Sequence, residues 1–397
     1  MNTNIQYKML FIFFLGLYAF IPAQKSEMKT LIEDNFKNAD EQYKLLMKTL
    51  PADKVPQTYD AVNNKIISYE RTWWCTGFYP GSLWYIYEQT KDPVIKKEAE
   101  RVLDIIEPNQ TYTGNHDLGF MMFCSFGNAY RITGNEKYKN IIFQSAASLS
   151  SRYKPGAQVI QSWNSSKKFN GPVIIDNMMN LELLNWVSQN GGDSKYKQIA
   201  ITHSNTTLKN HFRPDYSSYH VVDYNLNTGE VIKKQTHQGY SDESAWARGQ
   251  GWGLYGYTMM YRFTKDPKYL AQAQNIANFI LTNSNLPEDK IPYWDFNDPK
   301  IPNVPRDASA GALIASALLE LGQYTKGSEK ARYLDAAKQM IISLSGPQYK
   351  AAIGENGGFI LKHSTGALPL NSEIDVPLIY ADYYFLEALK RYKDWYL

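Results

Sequence analysis

Two cysteines and six histidines are the whole soft metal-ligating inventory of this 397-residue chain. The histidines are spread from His116 to His363 with no ligand spacing among them, so no zinc or other metal site is expected. Cys75 and Cys124 each sit among aromatic or apolar neighbours. Both read as buried thiols; a bridge between them has nothing in the sequence to support it. Surplus charge is lacking too. With 42 basic and 39 acidic residues the net charge is +3, and the Lys and Arg are scattered rather than striped, which excludes a groove for nucleic acid. There is no Gly-x-Ser-x-Gly elbow, no Walker loop and no dinucleotide fingerprint. The glycine-rich Gly249–Gly253 follows no strand and lies inside a helical pattern, so it does not cradle phosphate, and no cofactor is expected. No apolar run is long enough to span a bilayer as a helix.

The apolar run from Met9 to Ile21, preceded by Lys8 and followed by Pro22-Ala23-Gln24, has the form of a secretory signal peptide over residues 1–23. No Cys follows it closely, which argues against a lipid anchor, and a periplasmic or extracellular location is expected. The remainder, 24–397, reads as one domain. Its 44% hydrophobic content allows a sizeable core, and its 14% aromatic content exceeds what helical packing needs. Amphipathic rings in surplus suit stacking on sugar faces.

Helical patterns follow one another closely: about 27–50, 82–90, 92–106, 117–132, 135–152, 176–189, 193–210, 242–263, 266–282, 307–324, 328–344 and 376–392. Similar turns join the members of each pair, among them Thr90-Lys91-Asp92-Pro93, Thr133-Gly134-Asn135-Glu136 and Thr264-Lys265-Asp266-Pro267. The first member of each pair is apolar and aromatic, whereas the second is amphipathic with Lys and Gln. First members therefore line an inside and second members form an outside, which predicts an all-α fold, an (α/α)6 barrel or six-hairpin toroid. A small hairpin is expected around Asn227-Thr228-Gly229. His203 and His211 fall on an outer helix and should be solvated.

Asp117, Asp176, Asp242, Asp307 and Asp375 are each placed by this reading at the start of an inner helix. Every one could cap free N–H groups at the positive end of a helix dipole. With inner helices parallel, the five carboxylates would also ring one mouth. The stretch His237–Gly253, HQGYSDESAWARGQGWG, adds His, Gln, Arg, two Trp and two adjacent carboxylates at the same end. Carboxylates with Trp, His and Arg, and without metal spacing, are what glycoside chemistry calls for: one carboxyl that keeps a proton and one that stays charged.

His116-Asp117-Leu118-Gly119-Phe120 with Ser125-Phe126-Gly127-Asn128-Ala129-Tyr130, then Asp176-Asn177-Met178-Met179-Asn180-Leu181, then His237 to Gln250, closely resemble the unsaturated glucuronyl hydrolases of glycoside hydrolase family 88. The likeness runs from about Glu27 to the Tyr380–Phe385 segment. It implies the six-hairpin barrel and removal of a 4,5-unsaturated uronic acid from the non-reducing end of lyase-generated oligosaccharides, by hydration of the C4=C5 double bond. By the same match Asp176 would be the acid that protonates C4 and then the base that activates water, and Asp117 the partner that stays charged. His220, Gln238, Arg248 and Trp252 match active-site residues of the family, and Trp163 an aromatic that stacks on the sugar. Arg248 is assigned to the uronate, with Asp242 and Glu243 capping and positioning it; an ion pair with one of those two is the plainer alternative. Lys362 and Ser364 lie on a loop that could reach the next sugar or its sulfate. The implied partners are oligosaccharides from a glycosaminoglycan, ulvan or similar polymer. Three other readings stand beside this one: an unsaturated rhamnogalacturonyl hydrolase of family 105, a non-catalytic oligosaccharide-binding toroid, and an inverting glycosidase acting on saturated sugars.

Overall fold

The computed structural model describes residues 25–397, and the leader expected over 1–23 lies outside them. The first helix, α1 (Asn4–Thr49), enters the described part at Lys25. Eleven more follow: α2 (Phe78–Thr90), α3 (Pro93–Ile106), α4 (Asn128–Thr133), α5 (Glu136–Ser150), α6 (Asn177–Gln189), α7 (Lys195–Asn210), α8 (Ala247–Thr264), α9 (Pro267–Thr282), α10 (Ala308–Tyr324), α11 (Gly327–Ser345) and α12 (Ile379–Tyr396). A π-helical stretch, Gly119–Gly127, runs into α4 and completes that inner rod. All twelve expected helices are present.

The repeated turn has a common chemistry. The hydroxyls of Thr90, Thr133 and Thr264 donate back to the carbonyls of Ile86, Ala129 and Met260, and accept from the amides of Asp92, Asn135 and Asp266. Lys91, Gly134 and Lys265 between them are left-handed, with φ of 60°, 67° and 58°. Asp92, Asn135 and Asp266 then cap the next helix through its second N–H. One helix is thereby stopped and the next started within three residues.

The inner rods α2, the π-helix with α4, α6, α8, α10 and α12 each pack on the next, and α12 returns to α2, so the ring closes. Outside it stand α3, α5, α7, α9, α11 and α1. The main apolar core runs from Met28 to Leu389, and two smaller clusters lie among the connecting strands, around Val173 and Val222 and around Ile174 and Val221. Close approach within the ring needs small residues: a Cβ on Gly256 would meet Met178 Cβ of α6 at 2.4 Å. This is where the glycines of α8 are spent.

Inner-to-outer turns are short, but outer-to-inner connections are long and carry the strands, so one end of the barrel is elaborated. There β1 (Val55–Asp60) pairs with β2 (Lys65–Tyr69), and β3 (Tyr153–Lys154) with β4 (Val159–Ile160). β5 (Pro172–Ile174), β6 (Val221–Tyr224) and β7 (Val231–Gln235) form an antiparallel sheet, and β8 (Ser364–Ala367) pairs with β9 (Ser372–Val376). The β6–β7 hairpin turns through Asn227-Thr228-Gly229 as expected.

Two of the five carboxylates are not at helix starts. Asp242 lies ahead of α8, accepts from Thr236 N at 3.0 Å and pairs with Lys233 at 3.3 Å. The chain cannot yet be helical there, because residues 240–246 are tied to Asp295: Ser244 Oγ donates to it at 2.7 Å and Tyr240 N at 2.9 Å. Asp375 belongs to β9 and receives His363 Nδ1 at 2.6 Å, while α12 begins only at Ile379. His203 and His211 are buried rather than solvated. Helix α7 packs against the connecting strands, and the two rings satisfy strand backbone: His203 Nδ1 accepts from Ile160 N at 3.0 Å, and His211 Nε2 lies 3.1 Å from Val173 O. Cys75 and Cys124 are both free; Cys75 is buried and Cys124 partly so.

Candidate active site

Two carboxylates meet where the long connections enter the barrel. Strand β5 delivers Asp176 to the first turn of α6, in helical backbone (φ −54°, ψ −28°), and its side chain caps nothing. Its Oδ2 is buried without a hydrogen-bond partner. Asp117 is delivered just ahead of the π-helix by a segment stitched to its neighbours: Asn115 bridges Trp163, His116 N donates to Ser162 O at 3.0 Å, and Asp117 N donates to Asn115 Oδ1 at 3.0 Å. An uncapped buried carboxylate is costly, and two together more so.

Burial raises the pKa of Asp176 to about 7, opposed by the field of Arg248, by its own backbone and by the Trp252 indole N–H, which leans toward it short of a formed hydrogen bond. Asp117 is pushed well above the usual carboxylate range, by burial first and by the charge of Asp176 second, with Arg152 opposing. The pair therefore retains a proton near neutrality. In the expected division Asp117 is the charged member. Arg248 and Trp252 favour a charge on Asp176, and Arg152 favours one on Asp117. Its side chain keeps 13% exposure, and water at that edge moderates the push.

A neutral histidine stands behind each carboxylate. His220 Nδ1 accepts from both His237 N and Gln238 N at 3.1 Å, so its proton resides on Nε2, which lies 3.7 Å from Asp176 Oδ2. Burial, followed by the neighbouring His237 and Arg248, holds its pKa well below the ordinary value. His116 Nε2 lies 3.3 Å from Asp117 Oδ1, and burial takes its pKa down to about 3. Both rings should stay neutral in ordinary buffers. Nitrogen-15 NMR of the His220 ring between pH 5 and pH 8 is expected to show an unchanging Nε2–H tautomer; titration in that range would refute the assignment.

Arg248 does not hold an open hand to a ligand. It is 1% exposed, and its Nη1 donates to Asp307 Oδ2 at 2.8 Å, Ser309 Oγ at 3.3 Å and Thr365 O at 2.6 Å, while Nη2 donates to Gly366 O at 2.6 Å. The ring of Trp246 lies under it at 4.6 Å. These bonds make it a strap that ties β8 to α8 and α10. Asp242 and Glu243 do not position it; Glu243 faces Arg213 instead, at 3.4 Å. Gln238 Nε2 also donates to Gly366 O, at 3.2 Å, so the β8–β9 hairpin is fastened over the mouth twice. Trp252 is fully buried against Phe120 and Tyr384, as floor under Asp176 rather than as wall. Trp163 is partly open, set edge-on to Phe169 and 6.0 Å from the His237 ring, and forms a ledge at the rim. Lys362 turns away and donates to Pro347 O, and Ser364 is buried.

The motifs placed His116 and Trp246 in view without a role, and they missed Arg152 and the pairing of Asp307 with Arg248. Asp307 at least carried a signal, as a carboxylate at an inner helix start. A separate cavity of about 470 Å³ opens at the other end of the inner helices, lined by Trp186, Arg262, Glu387 and Arg391 among others. Its charges are compensated internally, Arg262 by Glu182 and Glu320 at 2.8 Å each. It shares no residue with the carboxylate pair.

The sequence profile described as Glycosyl Hydrolase Family 88 matches residues 50–396. An unsaturated glucuronyl hydrolase of Formosa agariphila is 49% identical over 320 residues, covering 80% of this chain and 79% of that protein. An unsaturated chondroitin disaccharide hydrolase of Streptococcus agalactiae is 36% identical over 342 residues, covering 84% and 85%. Among solved structures, an unsaturated glucuronyl hydrolase specific for heparin superposes with a TM-score of 0.89 at 45% identity, over 92% of this chain and 97% of that one. These likenesses favour this family over family 105. With a closed six-hairpin ring and a carboxylate pair at its elaborated mouth, the chain belongs to glycosyl hydrolase family 88, and it is a glycosidase.

Proposed function

We propose that this protein removes a 4,5-unsaturated uronic acid from the non-reducing end of short oligosaccharides by hydrating the C4=C5 double bond. The observation that carries the reading is the buried pair Asp117 and Asp176, which retains a proton near neutrality. Asp176 gives that proton to C4, and the double-bond electrons form the new C–H bond. Positive charge then spreads over C5 and the ring oxygen, where the carboxylate of Asp117 stabilises it. Asp176, now ionised, takes a proton from the water that adds at C5. The resulting hemiketal opens and releases the remaining sugar. The neutral His220 Nε2–H steadies Asp176 as its charge changes.

At the rim, Trp163 offers a face to the sugar ring. With the Arg248 Nη atoms already engaged and the His220 N–H turned to Asp176, the uronate is left to the Gln238 amide, with Arg248 contributing its field. Its relatives are named for glucuronyl, chondroitin and heparin substrates, so fragments of a glycosaminoglycan are the first candidates, with ulvan and similar uronic polymers beside them. The leader-like residues 1–23 support export to a periplasm or the medium; no helix among the described residues is long and apolar enough to cross a membrane. Incubation with lyase-generated disaccharides should abolish the ultraviolet absorbance of the conjugated double bond, while saturated analogues remain intact. Binding without loss of absorbance would leave a non-catalytic module, and cleavage of saturated glycosides alone an ordinary inverting glycosidase.

A further inference from the structure

Arg152, just past the end of α5, is 5% exposed, and no carboxylate lies within ion-pair distance of it among the described residues. Its guanidinium is spent on neutral acceptors instead. Nε donates to Gln161 O at 2.8 Å, and Nη1 donates to Thr113 O at 2.5 Å and Asn164 Oδ1 at 3.2 Å. Nη2 is buried with no partner at all. Thr113 belongs to the segment that delivers Asp117, and Gln161 and Asn164 to the one that delivers Trp163. A buried cation is usually paired, because removing its hydration is costly. Here it clamps together the two segments that carry a reacting carboxylate and the sugar ledge.

We propose that Arg152 is a positioning residue of the active site: it fixes Trp163 relative to Asp117 and supplies the positive field against which Asp117 carries its charge. The inference rests on the hydration reading of the preceding subsection. Facing Asp117 are His116 from its own segment, Asp176 from the start of α6, Arg152 from the end of α5, and the buried thiol of Cys75 ahead of α2. His116 is neutral and Asp176 opposes a second charge, so Arg152 is the cation that favours an ionised Asp117. Reciprocally, burial depresses the pKa of Arg152 while Asp117 raises it, as does Tyr112.

The experiment compares pH profiles of kcat/KM for wild type, Arg152→Gln and Arg152→Lys on an unsaturated disaccharide. Catalysis needs one carboxyl ionised, so the acid limb reports the first ionisation of the pair. Arg152→Gln removes the field and should move that limb up by about one pH unit. Arg152→Lys keeps the charge but not the fork, so its limb should stay with wild type while KM rises as Trp163 loosens. If Arg152→Gln does not fold, Asn164→Asp takes its place: it sets a carboxylate against the same guanidinium, keeps the clamp, and should move the limb the same way. A limb unmoved in the neutralised variant, or moved equally in Arg152→Lys, overturns the inference. Loss of the wild-type hydration activity itself would instead sink the proposed function, so the two failures are distinguishable.

Discussion

Asp176→Asn is expected to lower kcat on an unsaturated disaccharide by a factor on the order of 10² or more while leaving the barrel folded. The amide has nearly the shape of the acid but cannot deliver a proton to C4 or accept one from water. Nothing structural depends on the charge, since Asp176 caps no helix and its Oδ2 has no partner. In wild type the same group makes kcat/KM fall as pH rises through about 7, where the acid loses its proton.

Stability should follow the same titration. The folded pKa of about 7 lies above the ordinary 3.8. Between these values the folded state binds the proton more tightly than the unfolded chain, so this contribution is complete at low pH and is lost as pH climbs toward 7. Asp176→Asn lacks that dependence. Its Tm should therefore gain on wild type as pH rises from about 4 to 7. A folded Asp176→Asn protein that consumes unsaturated disaccharide at near-normal rate would remove Asp176 from the mechanism.

Arg248→Met is expected to cost about 3–5 kcal/mol of stability, because it strands Asp307 as a buried, uncompensated charge. Asp307 is fully buried, and Arg248 is its one ion-pair partner among the described residues. The same substitution takes the Arg248 donors from the carbonyls of Thr365 and Gly366, leaving Gln238 as the remaining fastening at Gly366, and so loosens the β8–β9 hairpin over the mouth. Denaturant titration measures the first effect, and a rise in KM for the disaccharide the second. Arg248→Lys keeps a charge but offers no fork, and should recover only part of either. If Arg248 instead met the uronate directly, Arg248→Lys would weaken substrates bearing the carboxylate and spare those without it. The strap predicts equal losses on both.

The helices were legible in the sequence because their signals are local. Thr90, Thr133 and Thr264 with their Asx neighbours write the same turn three times, and the apolar faces fall at helical spacing between those turns. The carboxylate pair was legible for a different reason: the segments around Asp117 and Asp176 are long composite motifs, and the resemblance they carry supplied roles that spacing could not. The glycine-rich run of α8 was legible as helix, but the need for glycine was not: a Cβ on Gly251 or Gly256 would meet Leu313 or Met178 of the neighbouring helices.

By itself, then, the sequence determined the hairpin alternation, the closed ring it implies, and the identity of two carboxylates at one mouth. Only the tertiary structure decided which charges meet. Asp242 and Glu243 are Arg248's neighbours in sequence, yet its partner Asp307 comes from the next hairpin, because the ring sets the starts of α8 and α10 side by side and leaves residues 240–246 tied to Asp295. Burial was likewise invisible in the chain. His203 and His211 lie on an outer helix whose inward side is covered by strands, and Arg152 belongs to no motif, so its approach to Asp117 exists only once α5 and the segments at 113 and 161–164 are assembled. Ionisation depends on desolvation and on charges brought together across the fold, and neither is a property of a residue's neighbours in sequence.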